Sequence, residues 1–272
     1  MFKKSMVVSG PTKFDSLAFK EGLVAGIKDV AALNFDAVEL AVKNPFEVNA
    51  AEIKKLTDEL ALPVVALGTG QSFVEDGLSL TAASEDIRTE TLKRLRGYAD
   101  MAATFGDTKV IVGLIRGKKE STLNEETIKK YLLEGMREAC NYAASKDIQI
   151  VLEPINRYET DIINTVAEAI TFIKETGCKN LKILLDTFHM NIEEPIIEES
   201  IKEAANASLI GHVHVADSNR WAPGSGHLDF ASIIDTLREC GYKGALSAEI
   251  LPKPDPASSA RLTIENFNRL LD

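Results

Sequence analysis

Cysteine is scarce in this chain: Cys140, Cys178 and Cys240 stand far apart, with no C-x-x-C pair among them. Such an odd, scattered set does not form a disulfide framework and offers no thiolate cluster for structural zinc. Reduced core thiols of a cytoplasmic protein are the expectation. No uninterrupted apolar run reaches the roughly 20 residues of a membrane span. Behind the two N-terminal lysines, "MVVSG" is too short for a signal-peptide core. The expected location is the cytoplasm, with no membrane partner. Basic residues never cluster beyond a pair, while the net charge is −10 and the pI near 5.1. A surface of that sign repels phosphate backbones, which argues against a nucleic acid partner. Long Pro, Gly or Ser tracts are missing too, which excludes disordered and fibrous classes.

What is present is a regular alternation of short β-rich runs and longer amphipathic ones across 272 residues. Strands are expected at 4–9, 36–42, 63–68, 109–114, 148–153, 181–186, 209–216 and 244–250. Helical spacing fills the intervals. In "NAAEIKKLTDELA", Ile53, Leu56 and Leu60 recur at three and four. "SEDIRTETLKRLRGYADMAATFG" opens on Ser84 as an N-cap and closes on Gly106, and a last helix fits "SSARLTIENFNRLL". Eight strand–helix pairs without a composition break predict one closed (β/α)8 TIM barrel over residues 1–272. The alternative, an open doubly wound sheet, usually carries a glycine-rich turn after its first strand. Here that strand is followed by "SGPTKFDS", with neither G-x-G-x-x-G nor the phosphate-loop Lys-Ser/Thr pair.

In a barrel, alternate strand residues face the interior, and functional groups sit at the C-terminal strand ends. Counting back from Glu153 puts Val151 and Gln149 inside and Leu152, Ile150 and Ile148 outside. The same count from Asp186 puts Leu184 inside, with Leu185 and Ile183 outside. From His214 it puts His212 inside; from Glu249 it puts Ser247 and Ala245 inside. Each of these strands has an apolar outward set and a polar residue at its inner end. One carboxylate after a strand is commonly a solvated loop residue or helix cap, but consecutive strands rarely agree by chance. Three carboxylates and an imidazole converging there repel one another unless a cation neutralises them. Oxygen-rich ligands with one nitrogen suit Mn2+, Mg2+ or Co2+.

The motifs "VLEPINRYETD", "LLDTFHMNIEE", "HVHVADSNRWAPGSGHLDF" and "SAEI" closely resemble those of the ketose 3-epimerases related to D-tagatose 3-epimerase. These belong to the xylose-isomerase-like sugar isomerase/epimerase barrels. The resemblance spans essentially the whole chain. It implies one divalent ion, Mn2+ above Mg2+ or Co2+, held by Glu153, Asp186, His214 and Glu249. His214 is preferred to His212 because the family's ligand lies six residues before the substrate-binding arginine, here Arg220; His212 is then a packed or supporting residue. The resemblance also implies substrate contacts from Glu159, His189 and Arg220, a small-molecule sugar or sugar acid as partner, and a homodimer or homotetramer.

The implied chemistry is inversion of carbon 3 of a ketose or keto-sugar acid through an enediolate, with Glu153 and Glu249 as the acid/base pair. Gln71 in "GTGQS" and Arg116 in "GLIRG" follow strands 3 and 4 at the active-site end. Arg116 with Arg220 could take an anionic sugar; the competing reading of Arg116 is a loop charge beside Lys118 and Lys119. Trp221, the single tryptophan, either walls the pocket or pins its loop. Other readings are an aldose–ketose sugar or sugar-phosphate isomerase, a metal-dependent dehydratase, and a non-catalytic sugar-binding barrel. The related DNA-repair endonucleases need several more histidines than the four present here.

Overall fold

Eight parallel strands close into a barrel in the order β1-β2-β3-β4-β5-β6-β7-β8. The computed structural model describes residues 2–13 and 17–271. The strands are β1 (Lys3–Ser9), β2 (Ala37–Ala41), β3 (Val64–Gly68), β4 (Lys109–Val112), β5 (Ile150–Leu152), β6 (Leu181–Asp186), β7 (Ile210–Val215) and β8 (Ala245–Ala248). Each coincides with one expected segment, the ends differing by at most two residues. Pairing of Lys3 with Ala245 through Met6 with Ala248 joins β1 to β8 and leaves no open edge.

Side-chain alternation explains the closure. Outward residues such as Met6, Val8, Leu40, Leu152, Ile183, Leu185, Val213, Val215 and Leu246 belong to the main core between strands and helices. Inside, Ala66, Ile111, Val151 and Leu184 form a separate apolar layer. Val151 and Leu184 lie two residues before Glu153 and Asp186, so a packed floor underlies the strand ends.

The helix ring comprises α1 (Leu23–Ala32), α2 (Ala50–Glu59), α3 (Gly70–Asp76), α4 (Glu85–Phe105), α5 (Glu125–Ala144), α6 (Val166–Thr176), α7 (Thr187–Glu193), α8 (Ile197–Asn206), α9 (Phe230–Glu239) and α10 (Pro256–Leu271). Side-chain caps start several of them: Asn49, Ser84, Asn124 and Thr165 each accept a bond from the backbone N–H three residues on. Such a cap contributes about 1 kcal/mol. Gly106, at φ 94°, ends α4. Two additions depart from a simple strand–helix alternation: α3 and α7 are seven-residue helices inserted after β3 and β6. Both stand at the C-terminal mouth. Among the described residues, no helix is long and apolar enough to cross a membrane.

Candidate active site

Glu153, Asp186, His214 and Glu249, from the ends of β5, β6, β7 and β8, bring one ligand atom each within 4.8 Å of one another. Parity delivers them. Leu152, Leu185 and Val213 are held outward by the core, so their successors point in. Pro154 follows Glu153 and gives up a backbone donor where the ladder stops. Opposite it, Gly113 leaves room for the carboxylate, since a Cβ there would lie 2.5 Å from Glu153 Oε2.

Asp186 splits its oxygens between two tasks. Oδ1 accepts from the N–H groups of Phe188 (2.8 Å) and His189 (3.3 Å), capping α7, while Oδ2 takes a bond from Arg220 Nη1 at 3.0 Å. Burial opposes its ionisation, yet Arg220, His189 and His214 hold its carboxyl well below the usual range. Burial, with the nearby Glu153 and Asp186 carboxylates, pushes the Glu249 carboxyl up, against Arg220 and His214. His214 Nδ1 is buried with no hydrogen-bond partner among the described residues. It stands 3.6 Å from Asp186 Oδ2 and 3.7 Å from both Glu153 Oε1 and Glu249 Oε2. These separations are too long for hydrogen bonds and suit donors converging on a shared ion. The three-oxygen, one-nitrogen set fits a divalent cation.

A cavity, partly open to solvent, lies over this centre. Its polar side carries Glu153, Glu159, His189, His214, Arg220 and Glu249; Leu17, Ile111, Leu114 and Ile155 form an apolar wall. His189 reaches it from α7, its Nε2 3.9 Å from Glu153 Oε1. The buried Asn156 side chain donates to Glu159 Oε1 at 2.9 Å and lies 2.7 Å from His189 Nδ1. An amide N–H2 group only donates, so His189 accepts at Nδ1 and carries its proton on Nε2. Burial lowers the pKa of that imidazole, which keeps it a neutral donor. Arg220, at φ 62°, pairs with Asp186 and Glu249 and lies over the Phe188 ring, 4.8 Å from its centroid. Gln71, on α3, also lines the cavity, and its buried Nε2 has no partner among the described residues.

Arg116 departs from its expected place, and one of the two readings of Trp221 falls away. Arg116 does not reach the cavity. It is fully buried, and burial lowers its pKa to about 10. Nε and Nη2 donate to Ile162 O, Nη2 also to Ile163 O, and Nη1 to Gly113 O and Glu153 O. A guanidinium so fully used has no donor left for a sugar anion. Trp221 is no cavity wall either, being 37% exposed and outside the lining.

Residues the sequence reading passed over support the centre. Glu39 on β2 lies under His214, with Oε1 3.0 Å from its Nε2. The inward parity used for β5–β8 marks it: in "DAVELAV" it is the polar residue between outward Val38 and Leu40. Asp217, which follows β7, accepts from the N–H groups of Ser218, Gly224 and Leu228 at 2.7, 2.8 and 3.2 Å, tying down the loop that carries Arg220. Its place before "SN" is a turn signal. Asn156 carries no comparable mark.

The profile of the family described as "Xylose isomerase-like TIM barrel" matches residues 27–269. The chain is 31% identical to 3-dehydro-D-guloside 4-epimerase of Escherichia coli strain K12 over 252 residues, 89% of this chain and 93% of that protein. It is also 31% identical over 230 residues to L-ribulose 3-epimerase of Methylomonas sp. strain DH-1, covering 84% of this chain and 78% of the relative. Among solved structures, D-allulose 3-epimerase from Methylomonas sp. in complex with D-allulose superposes with a TM-score of 0.82 at 26% identity, over 98% of this chain and 96% of that one.

Proposed function

The chain belongs to the xylose isomerase-like TIM barrel family, and from that premise we propose that it is a divalent-metal-dependent epimerase of keto sugars. The reaction is inversion of carbon 3 of a ketose through an enediolate. The observation that carries this reading is the convergence of three carboxylates on the unpartnered Nδ1 of His214, two of those carboxylates coming from β5 and β8.

Inverting a carbon beside a carbonyl breaks its C–H bond, sends the electron pair toward the carbonyl oxygen and returns a proton to the opposite face. Glu153 and Glu249 enter from strands three apart around the barrel and serve as the two bases. One accepts the proton as the other supplies one, and the roles exchange in the reverse reaction. Glu153, Asp186, His214 and Glu249 would hold the ion. Bound there, a divalent cation, Mn2+ foremost, supplies the positive charge that stabilises the negative charge on the sugar's oxygens. Arg220 and the Nε2–H of His189 donate to oxygens near the carbonyl, and Glu159 orients that end. Gln71 Nε2 awaits an oxygen farther along the sugar. The wall of Leu17, Ile111, Leu114 and Ile155 helps exclude water from the reactive intermediate.

Arg220 is the only arginine or lysine lining the cavity among the described residues, and two carboxylates engage it. Uncharged keto sugars are therefore favoured over phosphates. A second reading is inversion of carbon 4 beside a carbon 3 ketone, favoured by the 4-epimerase relative, of which the chain covers 93%. The proton chemistry is the same. Free thiols at Cys140, Cys178 and Cys240 support a cytoplasmic setting. An NMR screen of free ketohexoses, ketopentoses, keto-sugar acids, phosphates and 3-keto glycosides, each with Mn2+ and with chelator, tests the assignment. Metal-dependent conversion of an uncharged keto sugar to its epimer is expected. An aldose product would mean isomerisation, a dehydrated product would mean dehydration, and saturable binding without turnover would mean a sensor.

A further inference from the structure

Glu39 is a buried carboxylate, 1% exposed, one layer below the candidate metal centre. Its Oε2 lies 2.8 Å from His212 Nε2, and its Oε1 and Oε2 lie 3.0 and 3.1 Å from His214 Nε2. Among the described residues no arginine or lysine is paired with it; two imidazoles provide its contacts. An uncompensated buried carboxylate is costly, so both N–H bonds are needed. An ionised carboxylate only accepts, and each Nε2 facing it therefore carries hydrogen. With its proton on Nε2 and a cation at Nδ1, His214 would be neutral; that Nδ1 faces Glu153, Asp186 and Glu249 and has no hydrogen-bond partner among the described residues.

We propose that Glu39, braced by His212, is a positioning residue that fixes the tautomer and ring orientation of His214, so that Nδ1 is presented as a metal ligand. The inference rests on reading the four-residue cluster as the metal centre. His212 supplies the second donor that keeps the Glu39 carboxylate from rotating. The edge-to-face arrangement of the two imidazoles, 5.3 Å between centroids and 78° between planes, lets both address the same carboxylate. Glu39, His212 and His214 also satisfy, by position, the minimum grouping for a cation of their own. Under the proposal they bind none.

Calorimetric titration of the metal-stripped full chain with Mn2+, for wild type, Glu39→Gln and His212→Phe, tests this. It is combined with 15N-histidine NMR of the Mg2+-loaded wild type, whose His214 signal is assigned by substitution. Expected are one Mn2+ per wild-type chain, affinity lowered about 10- to 100-fold in Glu39→Gln and to a smaller extent in His212→Phe, and a His214 proton on Nε2. The NMR arm needs no Glu39 variant and stands even if Glu39→Gln does not fold. A proton on Nδ1, or unchanged Mn2+ affinity in folded Glu39→Gln, overturns the proposal while leaving the metal centre intact. Two Mn2+ per chain, one lost with Glu39→Gln, overturns it in favour of a second cation site. Wild type that takes up no metal removes the metal-centre reading and the proposal together.

Discussion

Gln71 holds its side chain against the cavity with a buried Nε2–H2 group that nothing among the described residues accepts. A buried unsatisfied donor costs about 1–3 kcal/mol, which a substrate oxygen would recover. Gln71→Leu should therefore leave the ligand-free protein at least as stable to urea, while raising KM roughly 5- to 30-fold, the equivalent of about 1–2 kcal/mol. A stability loss with unchanged KM would show that the side chain serves packing instead. Arg116 illustrates the opposite case. Both residues follow strands at the active-site end, and nothing in the sequence tells an arginine facing a cavity from one clamping main-chain carbonyls. Only the path of the segment around Ile162 and Ile163, which supplies two of those carbonyls, decides it. The inward set at the ends of β5–β8 was legible because strand parity constrains direction, while the choice of His214 over His212 came from the family resemblance; Gln71 and Arg116 lie beyond the reach of parity.

At the scale of elements, the long helices were readable and the short ones were not. α4, with Ser84 and Gly106 at its ends, has length enough to show a period and both stop signals. The seven-residue α3 and α7 are too short for periodicity, yet they carry Gln71 and His189. The loop after β7 has a different logic: one carboxylate organises it. The Asp217 carboxylate accepts from the main-chain N–H groups of Ser218, Gly224 and Leu228, its N–H donates to Trp221 O, and its own carbonyl accepts from Arg220 N. Gly226 is required beside it, since a Cβ there would lie 2.3 Å from Asp217 Oδ1. Burial opposes ionisation of Asp217, but the N–H groups of Gly226, Ser218, Leu228 and Gly224 lower its pKa below the ordinary aspartate value. A depressed folded-state pKa gives stability that is complete above the unfolded value and lost as pH falls through the folded one. Asp217→Asn should lose about 1–3 kcal/mol at neutral pH, with a large drop in kcat/KM as Arg220 loses its seat. The stability gap to wild type should narrow as pH falls from about 4 downward. Urea unfolding at several pH values checks this, and a gap constant with pH would contradict it.

Across the whole molecule, the barrel was legible because eight short β-rich runs alternate with amphipathic ones without a composition break, and polar residues gather at the inner strand ends. The main core takes the outward residues and the small interior layer takes Val151 and Leu184. The same polarity leaves the centre with converging carboxylates that a cation would relieve. Free ligand binding only the folded state at 100 times its Kd stabilises by about 2.7 kcal/mol. For a chain of this size that corresponds to a rise in Tm of roughly 5–10 °C. Mn2+ should raise Tm by that order and chelator reverse it, with Asp186→Asn abolishing the response. An equal rise in Asp186→Asn would place the ion elsewhere.

The central claim is that Glu153 and Glu249 exchange a proton at the carbon beside a keto sugar's carbonyl. Turnover of an accepted keto sugar by the Mn2+-loaded enzyme in heavy water, followed by NMR, addresses it directly. Wild type should wash deuterium into the epimerised carbon alone, carbon 3 of a ketose or carbon 4 of a 3-keto sugar, and Glu153→Gln and Glu249→Gln should abolish the exchange. Epimerisation without deuterium uptake, or uptake persisting in both variants, would contradict the account.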